Sequence, residues 1–65
     1  MELSQEIKNQ IIAAKLNEWQ KQHYSLLLDV KVAQAINDDK MLEAVKTQLK
    51  TVIAALETLQ IELDK

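Results

Sequence analysis

The sequence predicts an all-α protein, an antiparallel two-helix hairpin of coiled-coil type that assembles with further copies into a helical bundle. Three observations carry that expectation. Glycine and proline are absent from all 65 residues, and those two residues supply most tight turns and strand punctuation. Apolar residues recur at alternating steps of three and four, the period of a helix that packs along one seam. The one cluster of turn-forming residues, Asn37-Asp38-Asp39, divides the chain into two helical stretches.

The first helix is expected from about residue 4 to about residue 36. Ser4 is a good N-cap, and Gln5 and Glu6 follow it in the first turn. Its seam reads Ile12, Leu16, Trp19, His23, Leu26, Val30 and Ala33. Polar residues thin the apolar pattern between Gln20 and Ser25, which is where a break would fall if this helix had one.

The turn is expected at residues 37–39. Asn tolerates the left-handed conformation that ends a helix, and either Asp38 or Asp39 can cap the helix that follows. The second helix then runs from about residue 40 to residue 64, with its seam at Leu42, Val45, Leu49, Val52, Leu56, Leu59 and Leu63. So short a connection makes the two helices antiparallel neighbours. Centring the turn near Asp38 sets Ala33 against Leu42, Val30 against Val45, Leu26 against Leu49, and so on to Ile12 against Leu63. The two registers agree along the whole length, which neither helix alone guarantees.

The pairing leaves apolar surface uncovered. Leu3, Ile7 and Ile11 form an i, i+4 stripe on a part of the first helix that extends past the second. A further stripe, Tyr24, Leu28, Val32 and Ala35, points away from the hairpin partner. The far side of the second helix is mostly charged or polar, with Ile61 the exception. A single core in a chain of this length seldom contributes more than about 3–5 kcal/mol. No cysteine is available for a disulfide, and one histidine without cysteine builds no structural zinc site. Self-association through the first helix is the remaining way to shelter the stripes, and Leu3, Ile7, Ile11, Tyr24, Leu28, Val32 and Ala35 are the expected oligomer contacts.

Charge narrows the classes of partner. A formal charge of -2, eight lysines and no arginine give no general attraction to nucleic acid or to an anionic membrane. Glu2 and Glu6 stand where a secretion signal would carry basic residues, and no apolar run is long enough to span a bilayer, so a cytoplasmic protein is expected. No nucleophile is paired with a base and no glycine loop is present to cradle phosphate. An enzyme, a cofactor and a metal are therefore not expected. Asp38 and Asp39 lack the spaced loop that calcium needs, and capping accounts for them.

Other residues carry competing readings. His23, on the seam one turn after Trp19, could serve as base, ligand or switch, but a polar residue at one heptad position more often sets register. Trp19 belongs to the inner seam by its position, whereas Tyr24 is the better anchor for a partner because its hydroxyl can stay wet while its ring is covered. Lys21, His23, Tyr24 and Lys31 are the candidate contacts if clefts between subunits bind a small molecule or nucleotide, which is the alternative function.

Trp19, Tyr24, the run Val32-Ala33-Gln34-Ala35-Ile36-Asn37-Asp38, and a second helix ending in Leu59 and Leu63 resemble small helical-hairpin proteins encoded by bacteriophages. The resemblance implies a small accessory protein made in the cytoplasm of a bacterial cell, one that binds or blocks a host or rival protein.

Overall fold

The computed structural model describes residues 3–64, so Glu2 lies outside the described residues. Within them are two helices, α1 (Gln5–Ala35) and α2 (Asp39–Leu63), packed side by side. At about 1.5 Å per residue α1 is about 46 Å long and α2 about 37 Å. The molecule measures 52 × 18 × 14 Å, and α1 is one unbroken helix through residues 20–25.

Side-chain and backbone hydrogen bonds fix the helix ends. The Ser4 hydroxyl accepts from the Ile7 N–H at 3.2 Å, which satisfies one of the first-turn donors that have no partner inside the helix. At the other end α1 closes in a Schellman motif. The Asp38 N–H donates to the Ala33 carbonyl at 2.9 Å, and the Asn37 N–H donates to the Gln34 carbonyl at 3.2 Å. Asn37 sits between them at φ 56°, in the left-handed region that Asn tolerates better than most residues with a Cβ.

Asp38 also opens α2. Its carboxylate accepts from the Met41 N–H at 3.0 Å, and its carbonyl accepts from the Leu42 N–H at 3.0 Å. The connection is therefore Ile36, Asn37 and Asp38, one residue earlier than the 37–39 expected from sequence. Ile36 has left helical geometry (φ −96°, ψ 2°), and it is Asp38 rather than Asp39 that caps, so Asp39 becomes the first residue of α2.

The interface between the helices follows the predicted seam, with Met41 added from outside it. Leu26, Val45 and Val52 are buried at its centre, with Trp19, Val30, Met41, Leu49 and Leu56 packed against them. Ala33 is buried near the turn, and Leu16 is buried farther out. On the solvent side of α2, Thr47 and Thr58 donate to the carbonyls of Glu43 and Ala54, which keeps their hydroxyls satisfied within the helix.

Candidate interaction face

A helix presents its next residue about 100° further round its axis, so residues two positions off the seam of α1 turn almost directly away from α2. Leu28 follows Leu26 by two, and Val32 follows Val30 by two. The exposures match: Leu26 is 4% exposed and Leu28 43%. Val32, Ile7, Ile11 and Leu3 are exposed to a similar degree, and Ala35 is exposed as well. Tyr24, at 64%, is the most exposed of the large apolar or aromatic side chains among the described residues. Tyr24, Leu28, Val32 and Ala35, expected to point away from α2, are exposed, and so are Leu3, Ile7 and Ile11, expected to lie beyond its end.

The outward face of α1 is a seam in its own right. From Ile7 it steps by four and three through Ile11, Ala14, Glu18, Lys21 and Ser25 to Leu28, Val32 and Ala35. The two ends are apolar and the middle is polar. Glu18 and Lys21 lie 3.5 Å apart there as an exposed i, i+3 ion pair, an interaction that typically contributes about 0.3–0.5 kcal/mol in a helix. Tyr24 flanks this seam beside Ser25 rather than lying on it.

Leu27, Ile36 and Ile53 are also exposed and were not among the expected contacts. Leu27 and Ile53 each follow a buried seam residue, Leu26 and Val52, by one position. In antiparallel helices that single step turns both residues toward the same side of the hairpin, so they mark a second apolar face. The clue in the sequence is the step of one from the seam; Ile53 is hidden by the continuous apolar run from Val52 to Leu56. Ile61 is exposed on α2 as expected.

The four candidate ligand contacts do not converge within one chain. His23 is half-buried on the inner seam, and Lys21 lies on the outer one, beside Glu18. Tyr24 and Lys31, one heptad apart, share an exposed side of α1. The single hairpin encloses no cavity among the described residues. Likewise, no cluster of His, Cys, Asp or Glu among them is arranged to hold a metal ion, and no helix is long and apolar enough to cross a membrane.

Surface area gives the interaction face a scale. A compact monomer of 7.4 kDa exposes about 4,200 Å², yet this chain exposes 5160 Å². Its Cα radius of gyration is 15.4 Å, against about 10.7 Å for a compact chain of the same length. The surplus of about 950 Å² is close to the roughly 800 Å² that each partner buries in an ordinary protein interface.

Comparison of the chain with protein-family models, with curated proteins and with solved structures returns no match in any of the three.

Proposed function

We propose that this chain is a small non-catalytic interaction protein that self-associates through the outward face of α1 and, so assembled, binds or blocks a protein partner. The observation that carries the reading is the exposed apolar surface toward both ends of α1, Ile7 and Ile11 at one and Leu28 and Val32 at the other, with Leu3 and Ile36 exposed just beyond the helix. Fully burying such a side chain stabilises by about 1.5–3 kcal/mol, and these remain about half exposed, so covering several together is a sizeable share of the stability of a 65-residue domain. With α1 covered, the side bearing Leu27 and Ile53 is left to a protein of another kind. In keeping with the phage resemblance, we place this activity in the cytoplasm of a bacterial host, directed at a host or rival component.

Sedimentation equilibrium over a concentration series tests the assembly. We expect a species heavier than 7.4 kDa at micromolar concentration. Leu28→Glu with Val32→Glu should return it to monomer while circular dichroism stays helical, because both side chains are solvent-facing in the single hairpin. An unmodified protein that remains monomeric throughout would dispose of self-association. A doubly substituted protein that still assembles would move the contact to another face.

A further inference from the structure

We infer that the occupant of the outward face of α1 is the same face of a second copy, laid antiparallel in one defined register. This rests on the self-association proposed above and specifies its geometry. Two antiparallel helices packed along 3,4 seams pair residues whose positions add to a constant, and a sum of 39 brings together complementary residues from Ile7 and Val32 inward. Ile7 meets Val32 of the second copy, and Ile11 meets Leu28. Toward the middle Ala14 meets Ser25, small against small, and Glu18 meets Lys21. Twofold symmetry repeats each contact, so two opposite-charge pairs straddle the axis and two large apolar layers lie on either side.

Competing arrangements are marked down by the same residues. Slipping the register by one heptad sets Glu18 against Leu28 in one direction and Ile11 against Lys21 in the other. An in-register parallel pair stacks Glu18 on Glu18 and Lys21 on Lys21. Like charges or a charge buried against leucine are unfavourable, so the polar centre selects orientation and register while the apolar ends supply adhesion. Glu18 and Lys21, now joined within one helix at 3.5 Å, are both exposed and can turn to the second copy without disturbing the hairpin.

The inner and outer seams of α1 are offset by two residues, hence by about 160°. The four helices of the dimer therefore lie side by side in a shallow layer, α2 outermost and the two α1 helices central. Axes about 8–10 Å apart are what such side chains allow. The side of each hairpin bearing Leu27 and Ile53 remains open in this layer.

Charge exchange tests the register. Glu18→Lys alone places lysine against lysine across the axis, and Lys21→Glu alone places glutamate against glutamate. We expect each variant to dimerise at least tenfold more weakly than the unmodified chain, and an equimolar mixture of the two to recover a 1:1 heterodimer of unmodified affinity. Two singly substituted chains read the orientation, on a background free of cysteine. Ile7→Cys mixed with Val32→Cys under a glutathione redox buffer should give the mixed disulfide in excess over both homodisulfides. Charge variants that dimerise as well as the unmodified chain would overturn the register but leave self-association standing. Homodisulfides in excess would overturn the antiparallel orientation, and an unmodified chain that is monomeric at hundreds of micromolar would remove both proposals.

Discussion

Asp38 is the residue on which the hairpin turns. Its N–H closes α1, while its carboxylate and carbonyl open α2, so one position serves two helix ends. Asp38→Ala removes the side-chain acceptor and leaves the backbone bonds, and we expect a loss of about 1 kcal/mol in urea denaturation. Asp38→Asn, which keeps an acceptor oxygen, should lose much less. Asn37 is held at φ 56°, so Asn37→Gly should be neutral or stabilising, whereas the β-branched Asn37→Val should cost about 1–2 kcal/mol by the same assay. The sequence shows that these residues make a turn, since Asn and Asp are among the few turn-formers in a chain without glycine or proline. Which aspartate caps is less legible: either can accept a first-turn N–H, and the choice depends on where Ile36 leaves the helix.

At the scale of the helix, α1 is a strip with two working sides, and neighbouring leucines answer to different ones. Leu26→Ala opens a void in the buried seam and should cost about 2–5 kcal/mol of hairpin stability. Leu28→Ala removes a solvent-facing side chain and should change the stability of the separated hairpin by less than about 0.5 kcal/mol while weakening the assembly. Denaturation of both variants with Val32→Glu added to hold them apart, beside sedimentation of each alone, separates the two effects. The seams of both helices are plain in the sequence because period and register reinforce one another from Ile12–Leu63 to Ala33–Leu42. Leu27 and Ile53 are less so, since a residue one step from a seam looks like part of it until the antiparallel geometry shows that the two steps turn the same way. The polar middle of the outer seam, Glu18 and Lys21, reads in isolation as an ordinary solvated ion pair. It gains meaning only when α1 is matched against a reversed copy of itself.

For the whole molecule, shape is the dominant physical fact. A chain 52 Å long and 14 Å thick has much surface for its mass, and most of its exposed large apolar side chains lie on or beside one helix. If assembly shelters those side chains, folding stability becomes a function of protein concentration, and the midpoint of thermal unfolding should rise by several degrees between 1 and 100 µM. A midpoint independent of concentration would mean that the hairpin is stable by itself.

The unequal lengths of the two helices have a kinetic consequence. Contacts between them are nested about Asn37 and Asp38, so those nearest the vertex close the shortest loops and should form first, and the hairpin should zip outward. The first turns of α1, which extend past the end of α2, then gain protection last. Amide hydrogen exchange should accordingly be slowest around Leu26, Val45 and Val52 and quicken toward the open end, with residues 5–11 the fastest of α1 in dilute protein. At concentrations where a second copy is present those same amides should slow down, because the free end of one hairpin would then lie against the vertex end of the other.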